Sequence, residues 1–498
     1  MDQTVAPQVL QTAQPRRPLI LAASLMATFM AAVESSIVAT AMPTIVADLG
    51  GFQFFSWVFA AYLLAMAVTI PLYGRFADIY GRKRVFFFGA GVFLIGTTLC
   101  GLAQSMMMLV AFRALQGMGA GAIQPIAMTV LGDIYTPAER AKIQGFTSSV
   151  FGISAILGPA LGALIVEHMH WSLIFWVNLP IGAASITMYA LFLPEQVLPR
   201  KHQIDYAGAA LLTIGVGAVL LTLVQAATLG ARGIAIMAAV AVIAFVLLVF
   251  QERRTPEPIV PYKLWRNRVI ALANLGIFGT GSAMMGVSAF LPAYVQGVMG
   301  RSPGVAGFAL GCQSVSWMFA TFIAGRLMIR TSYRLSAAIG GVALLIGGAL
   351  FLMMTPESGV GFAATASLVS GVGMGFCNPA FLVSIQASVD WSQRGVATGA
   401  NMFMRILGQS TGAALFGAVV NFGVARRLPG AGDAVNRLLE PGLRQTLGAD
   451  ELHRLTTAVA ASVHNVYLIV VAIAAATLTI ALCFPAGLKP THTRVERR

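Results

Sequence analysis

Charge is what this sequence has least of. Asp, Glu, Lys and Arg make up 10% of its 498 residues, against about 25% in a soluble globular domain, which excludes a water-facing surface of ordinary composition. Acids are scarcer than bases, 18 Asp and Glu against 32 Lys and Arg, for a formal net charge of +14. Cysteine is nearly absent. Cys100, Cys312, Cys377 and Cys483 stand singly in apolar surroundings, which excludes a disulfide framework and a Cys-x-x-Cys metal site. His168 and His170 supply two ligands, half of a metal site, so neither a metal nor a cofactor is expected. Glu34 is the one acid deep inside an apolar run. An intramembrane enzyme would need paired acids, a nucleophile with its base, or a full metal set, and a channel would need a ring of like charges.

Hydrophobic sequence fills the space that charge leaves, 57% of the residues with a mean hydropathy of +0.80. Fourteen apolar runs, the first at 19–42 and the last at 464–484, are each long enough to cross a hydrocarbon core of about 30 Å as a helix. They predict an all-α polytopic membrane protein with fourteen transmembrane helices. Arg16-Arg17 precedes a run too long for the apolar part of a signal peptide, so that run is read as a retained first helix. With the amino terminus inside, most of the 32 basic residues fall in cytoplasmic segments. This is the positive-inside pattern. It places both termini in the cytoplasm, fits the cell inner (plasma) membrane, and accounts for the positive charge without nucleic acid.

The chain repeats itself. Gly117, Gly119, Gly121, Pro125, Arg140, Gly145 and Gly158 recur in order and at one constant spacing as Gly371, Gly373, Gly375, Pro379, Arg394, Gly399 and Gly412, and Gly74-Arg75 recurs at nearly that spacing as Gly325-Arg326. Parallel six-helix repeats are a known transporter architecture, with the site at their interface. The expected organisation is a six-helix bundle over residues 1–195, two inserted helices and a proline-rich cytoplasmic linker over 196–268, and a second bundle over 269–498. An outer loop at 425–463 carries an amphipathic stretch through Val435, Leu438, Leu439, Leu443 and Leu447.

Buried charge singles out three residues. An acid centred in a membrane helix costs at least ~2.5 to 3.5 kcal/mol and usually faces a partner or a pathway. Glu34 lies about 12 Å below the outer end of its run, and Arg113 about 10 Å below the outer end of its own. Equal depth and opposite charge predict a pair. The repeat maps Arg113 to Ser367 and Glu34 to Met285 or Ser288, so neither charge is duplicated. A purely structural ion pair and a snorkelling arginine are the alternatives. Arg405, about 14 Å into its helix, is the remaining mid-membrane charge, with substrate, Gln409 or a backbone carbonyl as candidate partners.

Several of these stretches resemble one family, the major facilitator superfamily. The run Gly74-x-x-x-Asp78-x-x-Gly81-Arg82-Lys83-Arg84 resembles its signature loop between helices 2 and 3. That resemblance implies a latch holding the two halves together on the cytoplasmic side. Asp78 can pair with Arg75 or Arg82, or accept from a helix amino terminus across the bundle; the alternative is that the basic residues only set topology. Arg113-x-x-Gln116-Gly117-x-Gly119 resembles the helix-4 pattern of the family. Gly145, Gly158-Pro159 and Gly162 resemble the helix-5 antiporter motif, with Ser154 and Ala163 in place of two glycines, and generic close packing is the alternative there. Val33 to Pro43 is similar to the first-helix pattern of fourteen-helix drug:proton antiporters, with Glu34 where that pattern has aspartate.

The resemblance implies a major facilitator fold of two six-helix bundles plus two inserted helices, and no enzyme activity. It implies a proton-coupled exporter of lipophilic, cationic small molecules working by alternating access. Glu34 and Arg113 then couple to protons, and Glu34, Arg113, Gln116 and Arg405 face the substrate. An exporter dedicated to one metabolite or lipid is the alternative. The expected partners are protons, the substrate and the bilayer, for a monomer with room for an accessory export partner.

Overall fold

A computed structural model describes residues 16–50, 54–194, 205–224, 226–255, 262–428 and 448–485. Among these, every regular element is a helix, as expected of apolar segments that must satisfy their own backbone hydrogen bonds away from water. The first part of the chain forms α1 (Arg17–Leu49), α2 (Phe55–Tyr80), α3 (Arg82–Gly101), α4 (Met106–Ile134), α5 (Pro137–His168), the single turn α6 (Leu173–Trp176) and α7 (Asn178–Phe192). Next come α8 (Tyr206–Val224), α9 (Ala226–Arg254) and the short α10 (Tyr262–Trp265). The remainder forms α11 (Arg268–Ala293), continued by a π-helical turn (Tyr294–Val298), then α12 (Pro303–Arg330), α13 (Tyr333–Leu352), α14 (Gly359–Ala387), α15 (Arg394–Arg427) and α16 (Ala449–Leu482). Local chemistry sets several starts. Ser105 accepts from Met108 N to cap α4, and Thr136 with Glu139 forms a capping box on α5 behind Pro137.

Helix neighbours in the first part recur in the second. The pairs α1 with α5, α2 with α4, α3 with α4 and α1 with α7 are matched by α11 with α15, α12 with α14, α13 with α14 and α11 with α16. Two seams join the parts, α2 against α15 and α5 against α12, and these correspond under the same repeat. The α8–α9 hairpin packs beside them: Leu212, Val216 and Leu248 share one apolar cluster with Ala67 and Ile70 of α2 and Met402 and Ile406 of α15.

Some boundaries differ from expectation. Twelve helices among the described residues are long and apolar enough to cross a membrane, rather than fourteen. The two expected spans outside that set are α5 and α8, the latter with an apolar stretch among the described residues of Tyr206–Val219. The outer loop ends earlier than expected, because α16 already begins at Ala449. Leu455, Val459, Val463 and Val466 of that helix are buried at helical spacing, and Asp450 and Glu451 occupy its first turn, where acids favour the helix dipole. The amphipathic stretch from Val435 to Leu447 lies outside the described residues. The Gly74 to Arg84 motif is helix almost throughout. Only Gly81 breaks it, at φ +94, a conformation costly for any residue with a Cβ.

Candidate functional site

Helical periodicity brings Glu34 and Arg113 inward. On α1, Ala23, Ala27, Met30, Glu34, Ile37 and Ala41 are buried on one face, and on α4 Leu109, Arg113, Gln116, Ala120 and Ile123 do the same. The side chains of Glu34 and Arg113 are 0% and 1% exposed, with Arg113 Nη1 2.5 Å from Glu34 Oε1. The same Nη1 donates to Gln116 Oε1 at 2.6 Å, and Arg113 Nε donates to the Val58 carbonyl at 3.3 Å. The guanidinium lies 4.2 Å from the Tyr62 ring centre, a cation–π contact. Gln116 Nε2 in turn donates to Thr97 Oγ1 at 2.8 Å. The second carboxylate oxygen, Glu34 Oε2, accepts from Asn178 Nδ2 at 2.5 Å. Asn178 is the first residue of α7 and fully buried, and its own Oδ1 has no hydrogen-bond partner. Helices α1, α2, α3, α4 and α7 thus meet around one charge pair, whose burial is tolerable because both partners are hydrogen-bonded.

A second charged cluster sits where α2 meets α15. Asp78 accepts from the first backbone amides of α15, Gly395 N at 3.0 Å and Val396 N at 2.9 Å, an acid at a helix amino terminus. Arg82 lies 2.8 Å from Asp78 and 3.0 Å from Asp133, donates to the Trp391 carbonyl at 2.8 Å, and stacks 3.9 Å from the Trp391 ring centre. Arg394 closes the cluster at 2.6 Å from Asp133. Gly74 makes the approach possible, since a Cβ there would stand 2.8 Å from the Gly395 carbonyl oxygen. Lys83 instead donates to the Ala190 and Leu193 carbonyls at the end of α7, and Arg84 is exposed.

The helix-5 residues lie along two contacts. Gly158 faces Ser36 and Gly162 faces Ile37 and Thr40, holding α5 against α1 just beyond Glu34, while Gly145 faces Phe322 of α12. Pro159 is helical within α5.

Arg405 is elsewhere. It lines a cavity of about 50 Å³ between the two parts, together with Gln124, Gln144, Asn378 and Asn401, and with Phe151, Ile277 and Leu382 as apolar wall. Its Nη2 donates to Gln124 Oε1 of α4 at 3.2 Å. Gln409, a candidate partner from the sequence, points instead to Met284 Sδ at 3.5 Å, because one turn along α15 its side chain meets α11. Glu34, Arg113 and Gln116 do not line this cavity. The sequence reading missed Asn178, Tyr62, Thr97, Asp133 and Trp391. Asn178 carried a usable signal, an amide inside an apolar run.

A sequence model of the Major Facilitator Superfamily matches residues 24–413. Multidrug resistance protein 3 of Bacillus subtilis (strain 168) is 34% identical to this chain, over 100% of both. Multidrug transporter protein MdtP of the same organism is 32% identical over 82% of this chain and 76% of its own length. The crystal structure of the human organic anion transporter MFSD10 (TETRAN) shares the fold at a TM-score of 0.63 and 14% identity, covering 93% of this chain and 100% of that one. A match running from α1 into α15, and a relative aligned from end to end, make this all-helical, multi-pass chain a member of the major facilitator superfamily of membrane transporters.

Proposed function

We propose that the chain exports drug-like small molecules across the inner (plasma) membrane in exchange for protons, with Glu34 as the proton carrier. Two six-helix bundles, α1 to α7 and α11 to α16, rock about the cavity between them. The α8–α9 hairpin is inserted at their seam, and α5 and α8 also cross the bilayer to make fourteen spans, with both termini cytoplasmic and the protein acting as a monomer. Multidrug relatives of this chain support the export of varied compounds.

The observation that carries the coupling is the sealed Glu34–Arg113 pair. Burial favours the neutral acid and the guanidinium favours the ionised one, so the pair is poised between two protonation states. A proton taken up from outside removes the charge that holds Arg113 and lets α1, α4 and α7 separate. Loss of that proton to the cytoplasm draws them together again. Gln116 and Asn178 position the pair, and the Asp78 cluster latches the cytoplasmic side while the cavity faces outward. A cationic substrate resting on Glu34 itself requires this pair to open towards the cavity.

Glu34→Gln imitates the neutral acid and removes the titration. In proteoliposomes with an imposed pH gradient it should abolish driven dye transport while the protein stays folded, and Glu34→Asp should keep part of the activity. Wild-type rates from the glutamine variant would end the proton-carrier role.

A further inference from the structure

We infer that the cavity between the two bundles binds amphiphilic anions, small molecules whose carboxylate, sulfonate or phosphate group docks on Arg405 while an apolar body lies against Phe151, Ile277 and Leu382. This rests on the export reading above and names the substrate class of its central cavity, which at about 50 Å³ is narrow and takes a ligand of this size when the rocking of the bundles in that reading widens it towards the few hundred Å³ of a small-molecule site.

The arginines of the helices differ in what they pair with. Arg113 has Glu34 as its partner, and Arg82 and Arg394 share Asp78 and Asp133. No ion pair among the described residues involves Arg405. Its hydrogen bonds go to the neutral oxygen of Gln124 at 3.2 Å and to Met402 Sδ at 4.0 Å. A guanidinium carries five N–H donors in a fork that matches a carboxylate or phosphate, and the described residues offer Arg405 no such group.

The lining deepens the asymmetry. Arg405 is its one charged side chain among the described residues. Trp317, also on the wall, holds a buried Nε1–H with no acceptor, and Asn274 Nδ2 is equally unpartnered behind Asn401. Asn378 already spends its Oδ1 on Thr280. The free hydrogen-bonding capacity is therefore weighted towards donors, which a ligand rich in acceptors satisfies, and an unmet buried donor is costly. A cation entering here meets like charge in a poorly screened space. Arg405, Gln124 and Trp317 come from α15, α4 and α12, so such a ligand bridges both bundles.

The test is equilibrium binding to the purified full-length protein in phosphatidylcholine nanodiscs, with empty nanodiscs subtracted. The probes share one fluorophore: anionic dansylglycine, its neutral methyl ester, and cationic dansylcadaverine. Wild-type protein should bind dansylglycine at least about tenfold more tightly than dansylcadaverine, the scale of one lost charged hydrogen bond. Arg405→Gln should remove that preference, Arg405→Lys keep part of it, and Arg405→Glu reverse it. Equal or tighter binding of the cation, absence of saturable dansylglycine binding, or an unchanged preference in Arg405→Gln would each overturn the inference. If an Arg405 variant does not fold, the wild-type ratio alone decides. Glu34 is untouched in these experiments, so the proton-carrier reading and the anion reading can fail separately.

Discussion

Removing one member of the Glu34–Arg113 pair should cost more than removing both. A buried charge left without its partner destabilises by roughly 3 to 5 kcal/mol, whereas replacing a whole pair by apolar groups is often neutral. Glu34→Gln should therefore melt lower than the Glu34→Gln, Arg113→Met double variant, a coupling that a double-mutant cycle on the detergent-solubilised protein measures directly. Additive effects would mean that the pair is not held together in solution. Asn178→Leu removes the donor to Glu34 Oε2 and should cost about 1.5 to 3 kcal/mol, as for a hydrogen bond to a charged group. Its transport pH profile should move as well, which a merely structural role for Asn178 would not produce. The pair itself was legible in sequence, because rise per residue converts position into depth and both charges fell at one level. Asn178 was visible only as an amide inside an apolar run; its contact with Glu34 was not, since it comes from a third helix whose rotation and whose break at Val177 no apolar pattern reveals. Tyr62 gave no signal at all, being an ordinary aromatic in a membrane helix.

Between elements, the two seams are alike in packing and unlike in charge. Gly74 admits α15 against α2, and Gly325 admits α5 against α12, where no room remains for a side chain at Gly325 beside the Ala141 carbonyl. Yet Ile329 stands where the repeat would place an acid, so only the α2–α15 seam is pinned by an Asp78-type contact. Asp78→Asn should loosen that pin. A cysteine introduced at Ser148, on the cavity wall, should then react faster with a reagent added from the cytoplasmic side, in a background without the four native cysteines. An unchanged labelling rate would reduce the motif to a topological marker. Gly81→Ala should lower stability by about 1 to 2 kcal/mol through its positive φ, read as a fall in melting temperature. The glycine spacing made the motif visible, but its description as a loop failed because Asp78 and Arg82 pair across a break of one residue. The early start of α16 was hidden because its first turns are polar and only one face of them is buried.

At the scale of the whole molecule, the duplication was the strongest signal in the sequence, and the matched helix neighbours carry it into three dimensions. The solitary positive charge of Arg405 has an electrical consequence. A monoanion carried out against a proton carried in moves two charges in the same electrical sense, so a potential of 100 mV contributes about 4.6 kcal/mol per cycle, twice the ~2.3 of a single charge. That corresponds to roughly three decades of concentration. A monocation exchanged for one proton moves no net charge, and the potential contributes nothing. A potassium diffusion potential set with valinomycin, at equal pH on both sides, should therefore drive dansylglycine through the reconstituted protein and leave dansylcadaverine at rest, with a transport current that the anion alone produces.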